Sequence, residues 1–191
     1  MLRSIFFPLI IFISLASCHR NVQPRPAETI NKNTGTKMES IKITSTAFND
    51  GSAIPSRHKC DGTDASPALD WTAVPDQAKT LALICDDPDA PAGTWVHWVL
   101  FNLPASTKNL AEGVPGQETL ASGAKQGKNS FGKIGYNGPC PPKGSVHRYF
   151  FKLYALDTDL NLAPGVTKDQ LTRAMDGHVL AEGQLMGRFQ H

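Results

Sequence analysis

The chain has 191 residues, a formal net charge of +2 and an apolar fraction of 40%, which suits one domain with a sizeable core. Near-neutral charge with no clustered Lys/Arg stripe removes the electrostatic case for nucleic acid.

Residues 1–17 combine Arg3, an apolar run from Ile5 to Ile13 interrupted by Pro8, and the small residues Ala16 and Ser17. This is a secretory signal pattern, and the run is shorter than the about 20 apolar residues of a membrane-spanning helix. Its end, Leu15-Ala16-Ser17-Cys18, is similar to the lipobox of bacterial lipoproteins, in which the Cys is acylated and becomes the first mature residue. The expectation is an exported chain, lipid-anchored through Cys18 to the outer membrane and facing the periplasm. Two or more acyl chains anchor stably where one does not. Residues 18–39 are polar, contain Pro24, Pro26 and Gly35 without hydrophobic periodicity, and read as a flexible tether.

The domain is expected over residues 40–191. From Ile41 the pattern alternates, with Ile41, Ile43 and Ser45 opposing Lys42, Thr44 and Thr46, as in a half-buried strand. A loop-rich stretch from Asn49 to Pro67 carries Cys60, and Ala68–Trp71 reads as a short strand. Leu81–Cys85 is apolar throughout, which predicts a central strand buried on both faces and ending at Asp86, Asp87 and Asp89. Trp95–Leu103 is the next strand, with Trp95, His97 and Val99 expected on one face and Val96, Trp98 and Leu100 on the other. Ala105–Gly144 is Gly-rich and reads as a long ordered loop. Val146–Leu156 is a strand with His147, Tyr149 and Phe151 on one face. Thr167 and Gln170 have capping-box spacing before Leu171, Ala174 and Met175, and Gly177 marks the stop of a helix. His178–Phe189 reads as a last strand. These elements indicate a mainly antiparallel β domain of sandwich type.

Two carboxylates at a strand end, a His one strand later and a His-x-Tyr pair after a Pro-rich loop are candidates for one pocket. Alone, each has a structural explanation: Asp beside Pro forms turns, and buried His and Tyr find partners. DPDAP at Asp87–Pro91, the pair His97-Trp98 and GPCPPKGSVHRY at Gly138–Tyr149 together resemble the two signature regions of the phosphatidylethanolamine-binding protein family, in its bacterial Raf-kinase-inhibitor-like branch. The resemblance extends from about Ile41 to the C-terminus. It implies a two-sheet antiparallel Greek-key β-sandwich with a few short helices, and a small anion-binding cavity at the surface. Carried over residue by residue, it implies a site of Asp87, Asp89, Trp95, His97, Cys140, Pro142, His147 and Tyr149. In that site His97, His147 and Tyr149 donate hydrogen bonds to an anion, and Asp87 orients a His.

If Cys18 carries lipid, Cys60, Cys85 and Cys140 allow one disulfide with three possible pairings. Cys85 reads as a buried small hydrophobe, and the preference is Cys60 with Cys140, both in loops. The leading functional expectation is non-enzymatic binding of phosphate, carboxylate or a phospholipid headgroup such as phosphoethanolamine, with no cofactor. A regulator that binds a protease- or kinase-like partner is the alternative. A hydrolase using Asp87 with His97, or Cys140 with His147, lacks a specific catalytic motif. A metal site of His97, His147 and Asp87 lacks supporting ligand spacing.

Overall fold

The computed structural model of the chain describes residues 39–190. The expected signal segment, the Cys18 lipid site and all but the last residue of the tether lie outside them. Nine strands and one α-helix, besides a 3-10 turn at Ser56–His58, follow in order: β1 (Glu39–Ser40), β2 (Lys42–Thr44), β3 (Leu69–Thr72), β4 (Thr80–Asp87), β5 (Trp95–Pro104), β6 (Asn109–Leu110), β7 (Lys125–Gln126), β8 (Val146–Leu156), α1 (Lys168–Met175) and β9 (Val179–Gln190). A six-stranded sheet runs β1-β9-β8-β4-β5-β7 and a three-stranded sheet runs β2-β3-β6. The fold is therefore mainly β, built on two antiparallel sheets, with β1–β9 the one parallel pairing among these strands.

The apolar run at β4 becomes the strand that the domain is built on, for the reason its composition predicts. All eight of its residues are buried, because β5 and β8 flank it in the sheet and both sheet faces are covered. Leu81, Leu83 and Cys85 join Trp98, Tyr149, Phe151 and the small sheet's Leu69 and Trp71 in one core. Ala82 and Ile84 face the other way, with Val99, Phe101, Leu171 and Met175. That second core is roofed by α1, which starts at the expected capping box of Thr167 and Gln170. The chain then reverses at Gly177, whose φ of 77° is one that L side chains rarely adopt.

The alternation that begins at Ile41 serves two sheets. Glu39–Ser40 pairs with β9, while Lys42–Thr44 pairs with β3, so the chain passes between sheets at Ile41. This passage needs Gly183, where a Cβ would stand 1.9 Å from the Ile41 carbonyl oxygen. The long segment expected to be loop contains the two-residue strands β6 and β7. Within it the Gln126 side chain bonds Trp98 Nε1 and the carbonyls of Pro115 and Gln117.

Candidate functional site

The site forms where the inner face of β4, β5 and β8 reaches the end of the sheet. Asp87 continues the inward row of Leu83 and Cys85 on β4. It faces Trp95 across β5, while Cys85 faces Trp98 and Asp86 faces Val96. Two β4 residues thus span three on β5, and His97 is the extra one, a β-bulge. The bulge places Trp95 and Trp98 on the same face although they are three residues apart. The simple alternation expected for β5, with Trp95 and Trp98 on opposite faces, is corrected by that one residue. His97 makes its contacts with Asn137 instead: its carbonyl accepts the Asn137 N–H at 3.0 Å, and its Nδ1–H donates to the Asn137 carbonyl at 2.6 Å.

A pocket of about 320 Å³ opens here, lined by Asp87, Trp95, His97, Cys140, Pro142, His147 and Tyr149, and also by Ala90, Pro91, Ala92, Phe131 and Pro141. Seven of the eight residues expected at the site therefore border one cavity. Asp89 is the exception: its carboxylate turns to Arg148, accepting from Nε, a terminal guanidinium nitrogen and the backbone N–H at 2.9, 2.7 and 3.0 Å. The Arg148 hydrogen bonds, more than any other influence, pull its pKa down to about 2.

The polar base of the pocket is specific. Asp87 Oδ2 accepts from His147 Nδ1–H at 2.7 Å, and Oδ1 accepts the Asp89 N–H at 2.8 Å, so Asp87 is both turn-former and His partner. Its bonded histidine is His147 on β8, whereas His97 is held by Asn137. Ser145 Oγ lies 3.0 Å from His147 Nε2. Burial lowers the pKa of His97. With Nδ1–H committed to a carbonyl, its neutral ring carries the acceptor lone pair on Nε2, so the expected role of His97 as a donor to an anion requires protonation against that burial. Tyr149 is 1% exposed, and its hydroxyl makes no well-formed hydrogen bond to another side chain or to the backbone among the described residues, the Asp87 carboxylate being the acceptor close enough to act on it. Burial first, then the nearby Asp87 carboxylate, raises its pKa, so it stays a donor. Apolar rings form the walls: Phe131 meets Trp95 and His97 edge-on at 5.4 and 5.5 Å, and Tyr149 meets His97 at 5.1 Å.

Behind the wall, Asp64 accepts from Asn137 Nδ2 at 2.7 Å and from the Gly138 N–H at 2.6 Å. Asn129 donates to Asn137 Oδ1 at 2.9 Å. A Cβ at Gly138 would lie 1.9 Å from the His58 carbonyl oxygen. Cys60 and Cys140 form a disulfide with Cα atoms 5.5 Å apart, and Cys85 is buried and free. The disulfide removes the free thiol that a Cys140–His147 nucleophile requires. Sequence reasoning passed over Phe131, Asp64 and Ser145. The spacing of Ser145 from His147, two residues on one side of an extended chain, was the signal for the last.

The chain matches the family described as phosphatidylethanolamine-binding protein over residues 44–190. A protein of the UPF0098 group from Methanothermobacter thermautotrophicus is 56% identical over 144 residues, covering 75% of this chain and 95% of the relative. Among solved structures, a candidate phosphatidylethanolamine-binding protein homologue from Chlamydia trachomatis is 44% identical with a TM-score of 0.73, covering 80% of this chain and 99% of that one. YbcL of Escherichia coli, described as a new member of the mammalian PEBP family, is 31% identical with a TM-score of 0.74 over the same shares.

Proposed function

The chain belongs to the phosphatidylethanolamine-binding protein family, and on that premise we propose that its pocket binds a small phosphate- or carboxylate-bearing ligand, such as a phospholipid headgroup. The observation that carries this reading is Tyr149: a fully buried hydroxyl with no well-formed protein hydrogen bond, set beside Asp87 and His147 at the polar base of a cavity with apolar walls. Leaving a buried donor unpaired costs about 1–3 kcal/mol, a cost that a ligand oxygen removes. Asp87 supplies an acceptor beside that donor. A phosphate monoester that keeps one P–OH suits such a base, because it offers an acceptor oxygen to Tyr149 and a donor hydroxyl to Asp87. The walls of Pro91, Trp95, Phe131 and Pro142 favour an apolar or compact substituent. Binding of this kind needs no chemical step.

The proposal includes a place. Cys18 carries lipid, and the domain faces the periplasm from the outer membrane, as one of the Raf-kinase-inhibitor-like branch. The Cys60–Cys140 disulfide supports an exported location, since such bonds persist in oxidising compartments. Titration calorimetry of the purified chain with phosphate and phosphoethanolamine tests the binding reading. Saturable heat that His147→Ala or Tyr149→Phe diminishes is expected, and no heat from either ligand sinks it. Mass spectrometry of the N-terminal peptide from native membranes tests the anchor, which fails if Cys18 is unmodified.

A further inference from the structure

A chain of bonds that ligand binding alone does not use runs from the pocket base to the exposed Ser145 beside it. Ser145 Oγ stands 3.0 Å from His147 Nε2, and His147 Nδ1 stands 2.7 Å from Asp87 Oδ2. A hydroxyl, an imidazole and a carboxylate thus follow one another in the order that activates a serine. Such a relay is recognised by geometry and roles, whatever the sequence order or fold. Asp87 and His147 are 3% exposed each, while Ser145 is exposed, so the base is protected and the nucleophile is accessible. The absence of a Gly-x-Ser-x-Gly elbow does not bear on this arrangement, because here the serine sits just before a strand, two residues from its histidine. From these contacts we propose that Ser145, His147 and Asp87 form a hydrolytic relay that cleaves small carboxylic esters reaching the exposed Ser145 beside the pocket.

The steps follow from the hydrogen bonds. Asp87 holds His147 with its proton on Nδ1, which leaves the lone pair on Nε2 to take the Ser145 hydroxyl proton. As that proton moves, Ser145 Oγ bonds to the ester carbonyl carbon. The tetrahedral adduct then breaks its bond to the alcohol oxygen, and the alcohol leaves with the proton held on Nε2. A water molecule next gives a proton to Nε2 as it attacks the acyl-serine, and Ser145 departs by taking that proton back. The net change is ester plus water to acid plus alcohol.

This goes beyond anion binding and is tested apart from it. The full chain is treated with a fluorophosphonate probe and mapped by peptide mass, and turnover of 4-nitrophenyl acetate and butyrate is measured for wild type, Ser145→Ala, Asp87→Asn and Lys143→Ala. One adduct at Ser145 is expected, with turnover about 100-fold or more lower in Ser145→Ala and Asp87→Asn and unchanged in Lys143→Ala. Ser145→Ala should retain the wild-type melting temperature, since its side chain is at the surface, so its result stands even if Asp87→Asn folds poorly. The proposal is overturned by turnover in Ser145→Ala equal to wild type, or by an adduct anywhere other than Ser145, or by no adduct. A hydroxyl that merely caps His147 produces those outcomes, whether or not phosphate binds.

Discussion

Asp87 on β4 and His147 on β8 share a 2.7 Å hydrogen bond, with both side chains almost wholly out of solvent. This bond, made across adjacent strands by residues 60 apart in sequence, fixes the orientation of the imidazole at the pocket base.

Removing the carboxylate should therefore cost stability as well as function. Asp87→Ala strands the His147 Nδ1–H and the Asp89 N–H and is expected to destabilise the domain by about 2 kcal/mol. Asp87→Asn, which keeps an acceptor oxygen, should cost less. Urea denaturation of both variants checks the ordering.

His97 sets a pH dependence. Burial depresses its pKa in the folded state, so below about 6.5 the unfolded chain binds a proton that the folded chain refuses. Its contribution to stability is thus complete above that pH and declines as pH falls from about 6.5 toward the lower folded value. Denaturation midpoints between pH 8 and 5 should show this loss, and His97→Gln should flatten it. An unchanged slope in the variant would assign the dependence to other groups.

The disulfide fastens one wall of the pocket. Among the described residues, Cys140 to Gly144 have no hydrogen bond or ion pair to another element, so the Pro141-Pro142 wall is held by the bond to Cys60, by the flanking Pro139 carbonyl that accepts from Cys60 N–H and by packing of the buried Pro141. A cross-link spanning 80 residues contributes about 4 kcal/mol in the chain-entropy account. Reduction should lower the denaturation midpoint and speed hydrogen exchange at Cys60 and Gly138, whose N–H groups bond the Pro139 carbonyl and Asp64 beside the wall, while β4 stays protected. Equal exchange in both redox states would mean that packing alone holds the wall.

These relationships separate what the chain reveals locally from what only folding assembles. The apolar run at Leu81–Cys85, the alternation at Val146–Leu156 and the Thr167–Gln170 cap are legible because each is decided by neighbours in sequence. Motif resemblance brought seven pocket residues together. It misplaced Asp89, whose outward turn to Arg148 depends on the register between β4 and β8. The hydrolase alternative paired Asp87 with His97, because nothing local shows that the bulge hands His97 to Asn137. β6 and β7 escaped notice because two residues carry no period, and they exist through partners such as Gln126. Asp64 and Phe131 sit in loops whose role depends on a wall that is far away in sequence.

The buried hydroxyl of Tyr149 is the donor on which ligand binding turns, and Tyr149→Phe tests it most directly. Without ligand, the variant should match wild type in stability to within about 0.5 kcal/mol, because the hydroxyl removed makes no well-formed hydrogen bond. Its Kd for phosphate should rise roughly tenfold to a hundredfold, the equivalent of one charge-assisted hydrogen bond of about 1.5–3 kcal/mol. Phosphate affinity identical in wild type and Tyr149→Phe, measured side by side by titration calorimetry, would contradict the proposed pocket chemistry.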